Sequence, residues 1–439
     1  MSGSSGVMAP PRPGPAPAQK VPSPFSLPLH ALRLAGRCLL PLVLWFSAGQ
    51  LIRWGLLYVM AETSHGSVRQ LRLVGTNLLM TLIVMVTMTM ITGMFLSLRK
   101  ALTETRARRA DGTQDERFWG SMNRVAPAFA LIYLAWELYL EDYRDFLQMD
   151  YFHNLDDNFY VTIFNNIAHG TKEEATLGRG MIDLDWRISA VAMVVVFGLR
   201  FLFEKMVERG SGKYSGLALA YSEFAFMFCG LSAVFTFTKA RSDWASHRAV
   251  VESTNDLWAK AKESVPGWEA FWGFVHDVWP YVIDAVAVPL TWLAIAVLVF
   301  GGSVDDTRKA LTGTKAVRGV DRLEESHTIT QKAVDRVIGG FQERWVPVVN
   351  AFRITIKGGA VAFGVMCVLY VGLHVGADYL DRGVRTLIGS DVPYMWLVVS
   401  WPVKFVKDML LTILTFAVLA ATFDIAAIRA RAKGEDITA

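Results

Sequence analysis

The chain has 439 residues, of which 53 % are hydrophobic and only 19 % charged. A soluble domain has roughly 45–50 % apolar and about 25 % charged residues, so this composition, with its positive mean hydropathy, argues against an ordinary water-soluble globule. The net charge of +4 is modest and spread along the chain; it lacks the concentrated basic face that nucleic acid requires, and the lipid bilayer is the first partner expected.

Residues 1–30 are rich in Pro, Gly, Ser and Ala, with Pro10, Pro11, Pro13, Pro15, Pro17, Pro22, Pro24 and Pro28 too closely spaced for helix or sheet. They read as a disordered N-terminal tail. Eight runs of about twenty nearly uncharged residues follow, the length that crosses a bilayer as helix. They lie at about 38–60, 73–98, 125–140, 188–206, 217–238, 279–300, 358–375 and 409–428. The expected fold is therefore an all-α, polytopic helical integral membrane protein with about eight transmembrane helices. In domain terms, residues 31–300 hold the first six spans, with outer loops at 141–187 and 239–278. A cytoplasmic loop and amphipathic helix occupy 301–345, the last two spans 346–428, and a short tail 429–439.

Charge between the runs sets the orientation. Arg99, Lys100, Arg106, Arg108 and Arg109 follow the second run, Lys205 and Arg209 the fourth, Arg308 and Lys309 the sixth, and Arg429 and Arg431 the last. The stretch from Glu141 to Arg187 is instead acidic, with Asp142, Asp145, Asp150, Asp156 and Asp157 among its carboxylates. Cytoplasmic loops carry the excess of Lys and Arg, so both termini are expected inside and the acidic stretch outside, in a multi-pass protein of the cell membrane.

Between the fifth and sixth runs, Trp244, Trp258, Trp268, Phe271 and Trp272 recur at helical spacing. Tryptophan collects at membrane interfaces, so residues 241–279 are expected as two helices lying on the outer surface. Before the last run, Pro402 interrupts an apolar stretch, and 394–401 is expected as a re-entrant or interfacial piece ending at that proline. Cys38, Cys229 and Cys367 sit in or beside apolar runs and read as small buried residues, implying no disulfide.

No catalytic or nucleotide-binding motif is present, and nothing names a cofactor. What remains is ionisable and polar residues at membrane depth, which are costly there and are functional candidates for that reason. They are Gln50 and Arg53 in the first run, Glu137 in the third, Glu223 in the fifth, Asp284 in the sixth, and Lys404 and Asp408 before the last. Arg53 and Asp284 lie at similar depth and are expected to pair; as a polar pathway they would form an outer gate, with Glu223 a proton or cation site, and the equal alternative is that each of these residues makes a structural hydrogen bond between helices. Arg200, Arg353 and Asp424 are near span ends and are expected to snorkel to water. His153, His169, His276 and His374 fall on the outer side, where imidazole and carboxylate could hold a divalent ion; the plainer reading is solvated imidazoles.

The leading functional expectation is a transporter or channel-like protein for a small solute or ion. The alternatives are a non-enzymatic membrane scaffold or assembly factor, and a membrane enzyme with an outward His/Asp site. A second copy or a membrane partner protein is the further partner considered.

Overall fold

The computed structural model describes residues 22–65, 68–110, 118–156, 164, 167–168, 170, 184–209, 215–246, 268–300, 360–389 and 393–432. Every regular element among them is helical. In chain order these are α1 (Leu27–Arg37), α2 (Leu39–Thr63), α3 (Arg69–Arg99), α4 (Thr103–Ala110), α5 (Phe118–Ala135) and α6 (Leu138–His153). There follow α7 (Trp186–Glu208), α8 (Ser215–Ser246), α9 (Trp268–Val282), α10 (Val288–Phe300), α11 (Ala360–Ile388) and α12 (Pro393–Ala432).

Five stretches are long and apolar enough to cross a membrane: Leu39–Thr63, Arg69–Arg99, Trp272–Phe300, Ala360–Ile388 and Val399–Arg429. Much of the outward side of α2 is apolar as well. On α2, Leu40, Leu44, Leu51 and Ile52 are exposed while Leu42, Phe46, Leu57 and Met60 are buried. Apolar residues on both the buried and the exposed side are what a helix between a protein core and lipid requires. The other three expected spans are helical too, as α5, α7 and α8, but are not among the five.

The bundle is organised around α3 and the second half of α12, the most deeply buried helices. Phe95 of α3 stacks on Phe416 of α12 at 4.6 Å and meets Phe300 of α10 edge-on at 5.7 Å. Helix α2 runs antiparallel to α3, and glycines let them approach closely. A Cβ on Gly93 would overlap the Trp45 ring, and one on Gly49 would lie 2.6 Å from Met90 Sδ. Small residues at such crossings are how membrane helices gain packing, since lipid supplies no hydrophobic drive between them.

At the Cys38 end of the bundle, α1 lies along α12 with Leu27, Ala31, Leu34 and Ala35 buried. That is an i, i+4, i+7, i+8 stripe. The N-terminal tail thus ends earlier than residue 30: Pro28 falls in the first turn of a helix, where its missing N–H costs nothing. Asp424, expected to snorkel, is fully buried instead. Its carboxylate accepts the Thr103 and Glu104 backbone N–H groups at 3.2 and 2.9 Å, which caps α4, and contacts His30 Nε2 at 3.0 Å. Orphan N–H groups at a helix start and a carboxylate suit one another, so Asp424 ties α1, α4 and α12 together.

Three further expectations are corrected. Residues 268–300 are not a surface helix followed by a span; α9 runs through a π-helical turn, Ile283–Ala287, directly into α10. Pro402 does not end a segment, because it lies inside α12, a helix of 40 residues that continues to Ala432. A proline removes one hydrogen bond, and a long apolar helix can carry that loss with a bend. The acidic stretch begins as helix α6, packed along α2, rather than as a solvated loop. Residues 247–267 and 301–359, with the amphipathic helices expected there, lie outside the described residues.

Candidate functional site

Helices α5 and α6 are separated by a two-residue break at Trp136–Glu137. Trp136 N–H still closes onto Ile132 at 3.0 Å, but Glu137 adopts φ 53° and Leu140 N–H turns back to its carbonyl at 2.9 Å. A left-handed residue other than glycine is uncommon and costs about 1–2 kcal/mol. Glu137 is the sole such residue among those described. Beside it, the buried indole N–H of Trp136 has no hydrogen-bond partner among the described residues.

The break starts a new helix N-terminus, and the first two turns of α6 carry Glu141, Asp142 and Asp145. Carboxylates are favoured there by the helix dipole. Asp142 and Asp145 turn onto α2 and both engage the Arg53 guanidinium, Asp145 at 2.7 Å. Asp142 also accepts the Tyr133 hydroxyl from α5. Lys404 of α12 reaches Asp145 Oδ1 at 3.2 Å. Asp408, one turn further along α12, is half-buried and within electrostatic reach of Lys404, Lys407, Glu141 and Asp145. Four helices, α2, α5, α6 and α12, thus meet in one charged network.

Its depth follows from the helices that carry it. Arg53 is about 21 Å along α2 from Leu39 and about 15 Å from Thr63, at 1.5 Å per residue. Two ions and their partners taken out of water are costly unless closely paired, and pairing is what is seen: Asp142 is 3 % exposed and its contacts are a guanidinium and a hydroxyl.

No protein-family model, curated protein or solved structure matches the chain. The site is therefore read from its geometry alone.

Of the residues singled out in the sequence, Arg53, Lys404 and Asp408 converge here, and Glu137 forms the adjoining break. Gln50 is half-buried on α2 and makes no side-chain hydrogen bond with a described residue. The expected Arg53–Asp284 pair does not form. The charges around Arg53 are Asp142, Asp145 and Glu141, whereas Asp284 lies in the π-helical turn beside Tyr370 of α11. Depth estimated along two helices says nothing about whether they touch, and α6 took the place assigned to α9. Glu223 is held by Arg200 at 3.0 Å, so that arginine spans the α7–α8 hairpin instead of snorkelling.

The proposed outer histidines are dispersed. His153 meets Glu62 at 2.7 Å, His276 its neighbour Asp277 at 3.6 Å, and His374 the Tyr370 carbonyl at 2.9 Å; His169 lies outside the described residues. No group of three or more His, Cys, Asp or Glu suited to a metal occurs among the described residues. Tyr133, Asp142 and Asp145 were missed. Their signal was present: Asp142, Phe146, Met149 and Asp150 are the buried residues of α6, an i, i+4, i+7, i+8 stripe that mixes acids with apolar residues. Asp150 repeats the pattern at the α2 end, accepting from Ser64 at 3.2 Å and contacting His65 at 2.6 Å.

Proposed function

We propose that the chain is a transporter or channel-like protein of the cell membrane that moves a small ion or solute, with both termini cytoplasmic. The observation that carries this reading is the helix break between α5 and α6 beside buried charges. Broken helices are tolerated at membrane depth where backbone lines a cavity or a binding site. Glu141, Asp142, Asp145 and Asp408 outnumber Arg53, Lys404 and Lys407 by one, which favours a cation or proton as the species moved. Within the network Lys404 is more exposed, at 47 %, than Arg53, at 17 %. Its ammonium sits where an arriving cation would sit on Asp145. Binding then displaces Lys404 and loosens α12 from α6, while Arg53 holds Asp142 in place.

The test is ion flux in liposomes containing the purified protein. Asp145→Asn should abolish cation or proton flux while gel filtration stays monodisperse, and Lys404→Met should raise apparent cation affinity. Unchanged flux, or none in the wild type, would remove the transport reading. The scaffold reading is favoured by one observation, that Arg53, Asp142, Asp145 and Lys404 all have partners. It expects these substitutions to alter stability alone.

A further inference from the structure

A second feature lies on the other side of the bundle and takes no part in the charged network. Helices α3, α5, α7 and α8 enclose a lateral cleft of about 790 Å³. It runs along α3 from Leu71 to Thr89, about 27 Å at 1.5 Å per residue, close to the hydrocarbon thickness of a bilayer. Leu71, Leu82, Val191, Val195 and Leu199 are exposed on its open side. Three hydroxyls reach the lining, and each is already used. Thr89 donates to the Met85 carbonyl at 2.7 Å, Tyr221 to that of Leu78 at 3.2 Å, and Ser222 to that of Leu219 at 2.7 Å. The walls therefore offer a polar solute no free hydroxyl hydrogen, and a lipid chain, already in hydrocarbon, fills the cleft by packing against its branched side chains.

The choice of hydrocarbon follows from shape and charge. A second transmembrane helix would pack on small residues that let backbones approach, but the open side presents branched Leu and Val. At the Leu71 end, Gln70 Oε1 accepts the Asp185 N–H at 3.0 Å and ties the start of α3 to that of α7. Arg72 and Arg187 are the chain neighbours of the lining residues Leu71 and Ile188 at this end. Arg72 Nη1 donates to the His65 carbonyl at 2.6 Å, the Arg187 guanidinium lies over the Trp186 ring, and the Asp185 carboxylate is engaged by the N–H of Arg187 at 3.0 Å. We propose that this cleft is a resident lipid site, which holds one acyl chain of an anionic phospholipid with its headgroup at the arginine end.

The experiment is native mass spectrometry of the full-length protein exchanged into phosphatidylglycerol and phosphatidylcholine in equal parts. The wild type should retain one phospholipid, predominantly phosphatidylglycerol. Ala192→Trp and Ala218→Phe, which fill the cleft from α7 and α8 respectively, should each lose it. Arg72→Gln with Arg187→Gln should keep a lipid but lose the preference for phosphatidylglycerol. Lipid-free wild type, retention in both filled variants, or no headgroup preference in the wild type would overturn the proposal. So would a doubled mass that collapses to one copy on filling the cleft, since the occupant would then be a second chain.

Discussion

Arg53 shows how much one side chain can hold at membrane depth. It is the common partner of Asp142 and Asp145, so its removal leaves Asp142 with the Tyr133 hydroxyl and no cation, and Asp145 with the exposed Lys404. Loss of one partner of a buried pair costs about 3–5 kcal/mol, and Arg53→Met should lower the unfolding free energy in detergent by about that much. Adding Asp142→Asn should recover part of the loss, because less uncompensated charge stays buried. Arg53→Met and Asp284→Leu should instead be additive, since sites without shared partners add; coupling between them would place them together after all. Cys38 illustrates the opposite case. Burial pushes its thiol up from the ordinary value, with Arg37 pulling it down, and Sγ points to the Ser97 carbonyl at 3.6 Å. At neutral pH it should react with maleimide far more slowly than free cysteine.

At the scale of elements, two backbone features decide the packing. The Trp45 ring over Gly93 is itself stacked on Phe118, at 5.7 Å and 7°, so it cannot swing away freely. Gly93→Ala should therefore destabilise by about 1–3 kcal/mol through overpacking. Gly75→Ala on the same helix meets nothing within 4 Å and should be neutral or mildly stabilising; thermal unfolding of the two variants side by side checks the contrast. At the α5–α6 break, Glu137→Gly should raise the melting temperature, since glycine adopts positive φ without penalty. Glu137→Val should lower it. If both variants melt with the wild type, the break carries no strain.

The whole molecule is tied at two levels. The Asp424 cluster joins α1, α4 and α12 at the Cys38 end, and the Arg53 network joins α2, α5, α6 and α12 nearer the Thr63 end. On the proposed orientation the first level is cytoplasmic. In a cysteine-free background, Glu62→Cys should label with a membrane-impermeant reagent from outside intact cells, and Arg106→Cys only after permeabilisation. Both labelling from one side would refute the proposed orientation and leave the bundle geometry as it is.

Much of the architecture was legible because a bilayer imposes its demands locally. A run of about twenty apolar residues must be helix, since lipid cannot satisfy its backbone groups; so the five long spans appear in sequence as well as in structure. Local rules also marked Arg53, Glu137, Lys404 and Asp408 as expensive at their depth. They could not say which charge answers which. Arg53 and Asp142 are 89 positions apart on the sequence rows, and helix periodicity relates residues only within a few turns. The acidic stretch illustrates the limit, because its net charge argued for water while its buried stripe depended on a neighbouring helix to supply Arg53 and His65. Tertiary packing alone decided that α6 lies against α2, that Asp424 caps α4, and that Asp284 stands apart from Arg53.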